Sequence, residues 1–263
     1  MTLALILLAI VLGSLVRRRR KRRQQRALLI GADAIRKRGW AFVVWRGTGS
    51  FEIRIAASLT DILETTPGFD IVAIDIPIGL LDAYEIGGRL CDRQARALLG
   101  KRGSSVFPVP VRGTLKADSH DEACRISQAS SPQGKKLSTQ AFNIIPKIKE
   151  VDDLLRARPA LRDVVREVHP ELCFRELAGA PMRFYKKEPA GQEERQRHLR
   201  RHFRDLDLAA IEKSGRKQKI PIDDILEATV ASWSALRLAT GRGRSLSEPI
   251  PVDSKGLPMT MWV

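Results

Sequence analysis

Beyond an N-terminal extension, apolar residues gather into short runs whose spacing predicts individual secondary-structure elements. Three runs rich in apolar and β-branched residues follow one another at 27–33, 39–47 and 50–58. Two glycines near the junction of the last two runs are typical of a hairpin. The chain therefore begins its folded part with a predicted antiparallel meander of three strands.

The next runs predict helices around one buried strand. Residues 59–66 have helical spacing, and the nearly continuous apolar run at 69–75 is typical of a strand buried on both faces. Residues 87–100 repeat apolar side chains at helical spacing and end on a glycine. The order β-β-β-α-β-α predicts a mixed α/β sheet and not a Rossmann alternation.

The rest of the chain predicts helices and one further strand. The run at 162–174 is typical of a strand, which Pro170 would end. Pro146 must kink or restart the helix in which it lies. Helical spacing is found at 117–129, 138–155, 192–203 and 223–241.

Two aspartates end apolar runs, where a carboxylate is costly. Asp33 closes the first predicted strand and Asp75 closes the buried one. A carboxylate in such a place costs several kcal/mol unless a cation, a metal ion or hydrogen bonds compensate it. Each aspartate is a candidate metal ligand, although an acid at a strand end is also a common turn or cap residue.

Further acids share faces of predicted elements. Asp224 and Glu227 are three residues apart in the last helix and so lie on one side of it. Glu167, His169 and Glu171 alternate onto one side of the predicted strand. Carboxylates that converge from strand ends and a helix form the oxygen-rich site that Mg²⁺ or Mn²⁺ prefers, and two such ions can hold a phosphodiester for attack by water.

Charge and composition point to an anionic partner. The net charge is +16 with an isoelectric point near 10.4, and eight of these positive charges lie in 17–26. The 43% hydrophobic and 29% charged residues are ordinary for a globular protein. Only 5% of the residues are aromatic, which argues against a protein built mainly on stacking platforms for single strands.

The first 26 residues form a separate region before the folded domain predicted for 27–263. Residues 2–16 are mostly apolar and precede the basic run, so a membrane contact through residues 2–23 is one interpretation. Basic residues lie on the cytoplasmic side of such anchors, which predicts a cytoplasmic domain, tethered or free. A segment without a role and a nucleic-acid-binding arm are the other two interpretations.

Several long motifs together resemble one uncharacterised family, whose members are thought to be ribonuclease-H-like nucleases. The resemblance extends from about Leu28 to the C-terminus. The motifs are GADAIRKRGW, AIDIPIGL, RLCDRQARALLGKRGSSVFPVPVR, STQAFNIIPKIKEVD, REVHPELCF, YKKEPAGQEER and DDILEATVASW.

The resemblance implies a fold and a set of functional residues. The fold is an α/β five-stranded mixed sheet of order 3-2-1-4-5 with flanking helices and a helical insertion, which would bring the first and fourth strands together. Asp33, Asp75 and Asp224 would then be the metal ligands. Asp224 and Glu227 resemble the D-x-x-D pair of Holliday-junction resolvases, and Glu171 remains a further candidate catalytic acid from the motif EVHPE.

Basic residues near these motifs are candidates for contacts to phosphate groups. They are Arg89, Arg93, Lys147 and Lys187. Such contacts would give salt-sensitive binding that is largely independent of sequence. Arginines on an amphipathic helix are equally often solvent-facing side chains without a ligand.

The sequence leaves three functions open. A nuclease that uses Mg²⁺ or Mn²⁺ is favoured by the acids and by the resemblance. The chain departs from the family pattern at Ala34, Ile35 and Glu227, which keeps open a catalytically silent nucleic-acid-binding module. A protein for a small nucleotide ligand is disfavoured, because neither common glycine-rich phosphate loop is present.

Overall fold

The computed structural model of the protein describes residues 27–35, 38–47, 49–203 and 206–263. The expectations for the first 26 residues, a membrane contact and a basic arm, lie outside this part of the chain. In the part that is described, no helix combines the length and the apolar character needed to cross a bilayer.

Five strands form one mixed sheet in the order β3-β2-β1-β4-β5. The first three strands pair antiparallel, whereas β4 runs parallel to β1 and to β5. The α/β class and the strand order 3-2-1-4-5 are therefore confirmed. The strands are β1 (Leu28–Ile35), β2 (Gly39–Arg46), β3 (Ser50–Ala56), β4 (Ile71–Ile74) and β5 (Val165–Glu167).

Helices flank this sheet, and four of them form the predicted insertion between β4 and β5. The helices of the described residues are α1 (Leu59–Thr65), α2 (Leu90–Leu99), α3 (His120–Ala129), α4 (Thr139–Asn143), α5 (Ile145–Ala157), α6 (Pro170–Ala178), α7 (Pro189–His202), α8 (Leu208–Lys217) and α9 (Ile222–Ala239). The helix predicted around Pro146 is thus two helices, because proline restarts a helix more easily than it continues one.

The central strands are buried on both faces because their side chains alternate between two cores. Leu29 and Val43 belong to a core with residues of α6, α8 and α9. Ile30 and Phe42 point the other way, into a core with residues of α1 and α5. A sheet covered on both faces explains why β1 and β2 read as nearly continuous apolar runs.

The register of β1 against β4 brings two predicted acids side by side. Ala32 pairs with Ile74, and the backbone N–H of Asp75 donates to the carbonyl oxygen of Ala32 at 3.1 Å. Asp33 does not end its strand as predicted, because β1 continues to Ile35 through its pairing with β2. It lies instead at the point where β1 outruns β4.

Glycine at position 31 lets α9 lie directly on β1. A Cβ atom there would approach the carbonyl oxygen of Ala228 and the amide nitrogen of Ser232 to 2.2 Å each, far inside van der Waals contact. The helix therefore packs backbone to backbone against the strand two residues before Asp33. This close packing positions the acids of α9 beside those of the sheet.

The strand predicted over 162–174 is wrong in its second half. β5 contains only Val165–Glu167, and Pro170 begins α6 where it was expected to end a strand. Proline is favoured in the first helical turn because the N–H that it lacks would have no partner there. Glu171 consequently lies in the first turn of a helix, and it does not share a strand face with Glu167 and His169.

Candidate functional site

Three carboxylates from β1 and α9 form a compact acidic cluster. Asp33, Asp224 and Glu227 each contribute one oxygen, and these oxygens all lie within 4.8 Å of one another. Asp33 and Glu227 are only 7% and 4% exposed. Asp224 and Glu227 reach the same point because residues three apart share one face of a helix.

Asp75 stands next to this cluster. It is outside the set of oxygens within 4.8 Å of one another, but its charge raises the pKa of Asp33. Asp33, Asp75 and Asp224 were the predicted metal ligands. In the structure, Glu227 takes the place of Asp75 in the compact cluster, and Asp75 lies beside it.

Burial and mutual repulsion make the charged forms of these acids unfavourable. Burial, and then the negative charges of Glu227, Asp75 and Asp224, raise the pKa of Asp33 well above its usual range. Burial raises the pKa of Asp75 and of Asp224 to about 7, and it raises the pKa of Glu227. A buried group of acids with these properties gains most from a bound cation.

Lys186 supplies one positive charge to the cluster. Its Nζ lies 2.7 Å from both carboxylate oxygens of Glu227. Burial lowers the pKa of Lys186, but the neighbouring carboxylates, led by Glu227, outweigh this effect and raise it above its usual range. The ammonium is therefore charged and lowers the pKa of Asp33, Asp75 and Asp224 relative to a site without it.

Asp33, Asp75 and Glu227 line a pocket of about 440 Å³. Its other walls come from the loops after β4 and α2, from the start of α6 and from the segment before α7. A second recess of about 670 Å³ shares Ala34, Gln140 and Ile144 with it and is bordered by Lys147. The two recesses therefore adjoin one another at these three residues.

Two buried polar atoms in the pocket have no hydrogen-bond partner among the described residues: His169 Nδ1 and Glu171 Oε2. The His169 ring donates through Nε2 to the carbonyl oxygen of Ser105 at 3.3 Å, which leaves Nδ1 unprotonated in the neutral ring. Burial lowers the pKa of His169. The other oxygen of Glu171 accepts from Arg195, so that this carboxylate is charge-paired and still offers one oxygen.

Arg89 cannot contact phosphate from its place in the structure. Its side chain is 1% exposed, and its guanidinium lies 2.8 Å from Asp92 and 2.6 Å from Glu167. It also donates to the carbonyl oxygen of Ile78 at 2.8 Å. The predicted contact of Arg89 with nucleic acid is therefore wrong. Arg89 instead joins the loop after β4 to α2 and β5.

The other predicted basic residues are on the surface. Arg93 is exposed but lies outside the residues that line the pocket, and its guanidinium donates to the carbonyl oxygen of Gly88. Lys147 pairs with Glu150 at 2.7 Å and lies 5.0 Å above the ring of Trp40. Lys187 is exposed beside the cluster and lowers the pKa of Asp224.

Sequence reasoning did not place Arg195 or Tyr185 among the site residues, and it counted Lys186 only among the basic residues near the motifs that could contact phosphate. All three residues lie in a motif of the resemblance, YKKEPAGQEER, which assigned no role to Tyr185 or Arg195. Arg195 lies in α7, whose many charges suggested a solvated face. Nothing in that pattern distinguishes the buried Glu194 and Arg195 from their exposed neighbours.

One family model matches the chain over residues 31–252, and it is described as Protein of unknown function (DUF429). The chain belongs to this family. The match includes all four acids of the site. No curated protein and no solved structure matches the DUF429 chain.

Proposed function

We propose that this DUF429 protein is a nuclease that hydrolyses phosphodiester bonds in nucleic acid with one or two Mg²⁺ or Mn²⁺ ions. The observation that carries the proposal is the cluster of Asp33, Asp224 and Glu227, with oxygens within 4.8 Å of one another beside Asp75. The strand order places β1, with Asp33, beside β4, which Asp75 follows, and α9 contributes Asp224 and Glu227.

The donor set fits such an ion. The ligand atoms are carboxylate oxygens, which Mg²⁺ and Mn²⁺ prefer, and His169 is the one histidine among the described residues that line the pocket. Asp33, Asp224 and Glu227 would hold the metal, with Asp75 available to a second ion. A bound ion would activate water and stabilise the charge on the attacked phosphate.

The remaining groups of the pocket bind and orient the substrate. Lys186 neutralises part of the acidic charge and presents a donor to a phosphate oxygen. Neutral His169 keeps an unprotonated Nδ1, which can accept a proton from water at the pocket wall. Lys147, at the second recess, and Lys187, near Asp224, add positive charge that would favour a polyanion.

A catalytically silent nucleic-acid-binding module is the second candidate. Its supporting observation is the contact of Lys186 with both oxygens of Glu227 at 2.7 Å. The ammonium already neutralises one carboxylate of the cluster, so a divalent ion must compete with it. Salt-dependent binding without cleavage in Mg²⁺ or Mn²⁺ would favour this candidate.

Cleavage assays on single-stranded, duplex, hybrid and branched DNA and RNA test the nuclease proposal. We expect metal-dependent cleavage by the full chain and a loss of at least about 100-fold in Asp33→Asn and Asp224→Asn, because each variant removes a charged metal ligand. Asp223→Asn is the matched control, since it removes a neighbouring carboxylate that is outside the cluster. Full activity in Asp33→Asn would contradict the proposal.

A further inference from the structure

Two aromatic side chains are exposed beside the acidic pocket. Phe184 is 41% exposed and Tyr185 is 48% exposed, and Tyr185 also lines the pocket that contains the acids. They lie in residues 182–188, between α6 and α7, which we call the aromatic loop. The other large apolar side chains exposed among the described residues are aliphatic: Ile86, Leu90 and Val252.

Buried charged residues fix the backbone of the aromatic loop. The carboxylate of Glu194 accepts the backbone N–H of Arg183 and of Phe184 at 3.0 and 3.1 Å. Arg195 donates to the carbonyl oxygen of Phe184 at 3.2 Å. Glu194 and Arg195 are 4% and 1% exposed, so the core of the protein holds the loop in the conformation that presents both rings to solvent.

Positive charges surround the two rings. The guanidinium of Arg102 lies 5.9 Å from the centroid of the Tyr185 ring, and Arg102 is tied to the loop because it donates to the carbonyl oxygen of Met182 at 3.2 Å. The guanidinium of Arg183 lies 5.8 Å from the Phe184 ring. Lys186 and Lys187 follow directly in the chain.

This combination is the chemistry of single-strand recognition. Proteins that bind single strands pair aromatic faces, on which unpaired bases stack, with cations that follow the phosphates. A duplex cannot use such rings without losing base pairs, since its bases already stack on one another. The rings also adjoin the acids, because Lys186, next to Tyr185, contacts Glu227.

We propose that the aromatic loop binds a single-stranded segment of nucleic acid, with an unpaired base stacked on Tyr185 and the adjacent phosphate directed to the acidic pocket. This inference rests on the proposed function for the nature of the ligand, and it adds the substrate class. The strand would pass between Tyr185 and Lys187 on its way to Asp33.

Binding measured without metal separates this inference from catalysis. Fluorescence anisotropy in a chelator would compare a labelled single-stranded oligonucleotide with the duplex of the same sequence. We expect the full chain to bind the single strand more tightly than the duplex. Tyr185→Ala should weaken single-strand binding about tenfold or more, because stacking on one aromatic ring contributes this much.

Two further variants sharpen the result. Tyr185→Phe keeps the aromatic face and should bind as the unchanged protein does. Ile86→Ala removes an even more exposed apolar side chain that does not line the pocket, and it should bind normally. The salt dependence of binding should stay the same in Tyr185→Ala, because the variant removes no charge.

Three outcomes would overturn the inference: equal single-strand affinity in Tyr185→Ala and the unchanged protein, tighter binding of the duplex, or no binding of nucleic acid, as when the loop docks a protein. Its failure is distinguishable from failure of the nuclease proposal. Single-strand binding that depends on Tyr185, without any cleavage, would refute the nuclease proposal alone. Metal-dependent cleavage together with single-strand binding that is unchanged in Tyr185→Ala would refute this inference alone.

Discussion

At the scale of single residues, the site is a balance between buried negative charges and one ammonium. Asp33 and Glu227 are almost completely buried, and Asp75 adds its charge to the same place. Lys186 offsets part of this charge through Glu227. Stability and metal binding are therefore linked, since a divalent ion and the ammonium stabilise the same carboxylates.

Replacing Lys186 by methionine tests this balance. We expect Lys186→Met to destabilise the metal-free protein by about 1–3 kcal/mol, because Glu227 loses its partner. Mg²⁺ or Mn²⁺ should then raise the melting temperature more in the variant than in the unchanged protein. Thermal unfolding with and without metal measures both effects.

Lys149→Met is the matched control, since Lys149 pairs with Asp153 on the surface at 2.6 Å. It should change neither the stability nor the response to metal by much. A metal-induced shift that is no larger in Lys186→Met than in the control would contradict the competition between lysine and metal.

The raised pKa values of the buried acids predict how the stability of the metal-free protein depends on pH. The folded-state pKa of Asp75 and of Asp224 is raised to about 7, above the value of about 4 in an unfolded chain. The folded state then binds more protons between these values, so that stability is greatest at the acid end of this range and falls as pH rises through 7.

Urea unfolding and thermal unfolding at pH 6 and pH 8 in a chelator check this prediction. Asp224→Asn should flatten the pH dependence and raise the melting temperature at pH 8 by about 2–4 °C, the shift expected from about 1 kcal/mol in a domain of this size. Asp153→Asn is the control, since it removes an exposed carboxylate that pairs with Lys149 on the surface. A metal-free protein that gains stability from pH 6 to pH 8 would refute the assigned pKa shifts.

At the scale of elements, the site depends on how closely α9 approaches β1. The helix brings Asp224 and Glu227, the strand brings Asp33, and Gly31 sets the distance between them. The network of Arg89, Asp92 and Glu167 holds the loop after β4, where Asp75 lies, against α2 and β5. Gly31 and the Arg89 network do not belong to the acidic cluster. Glu167 is the one member of the network that also lines the pocket.

Gly31→Ala should separate the helix from the strand. The added Cβ would lie 2.2 Å from backbone atoms of Ala228 and Ser232, which cannot move without the helix. We expect a loss of about 3 kcal/mol in unfolding free energy, at the upper end for overpacking, and a weaker metal-induced rise in melting temperature.

Gly113→Ala is the control for this prediction, because its Cβ would meet only a side-chain methyl of Ile126 at 3.0 Å. Urea unfolding of both variants measures the cost. A Gly31→Ala protein as stable as Gly113→Ala would show that α9 and β1 tolerate a wider separation.

At the scale of the whole molecule, the described residues already form a complete sheet with both faces covered. One core lies between the sheet and α6, α8 and α9, and the other lies between the sheet and α1 and α5. Half of the net positive charge lies in residues 17–26, before these two cores begin in the described chain.

Deletion of residues 1–26 should therefore leave the fold intact. We expect a melting temperature within about 2 °C of that of the full chain, because the sheet and the two cores of residues 27–263 would remain; a much lower value would contradict the domain boundary. Cell fractionation and the salt dependence of nucleic-acid binding then distinguish the three interpretations of the segment. Membrane association of the full chain alone indicates an anchor, a smaller salt slope after deletion indicates an arm, and no difference indicates neither.

Much of the fold could be predicted from the sequence, because strands and helices leave periodic patterns. The meander, the buried β4 and the long α9 follow from such runs, and the motifs of the resemblance supplied the strand order. The end of β5 could not be predicted in this way. Pro170 is equally compatible with the end of a strand and the first turn of a helix, and only packing decides between them.

The sequence by itself determined which acids are candidates, because a carboxylate that closes an apolar run is conspicuous. It did not determine which of them converge: Glu227 joins Asp33 and Asp224 only because Gly31 lets α9 lie on β1. It also did not distinguish the buried Arg89, just before α2, from the exposed Arg93 within α2. The burial of each side chain depends on which other elements pack against the helix. Pairwise distances and burial belong to the tertiary structure, because residues far apart in the chain create them.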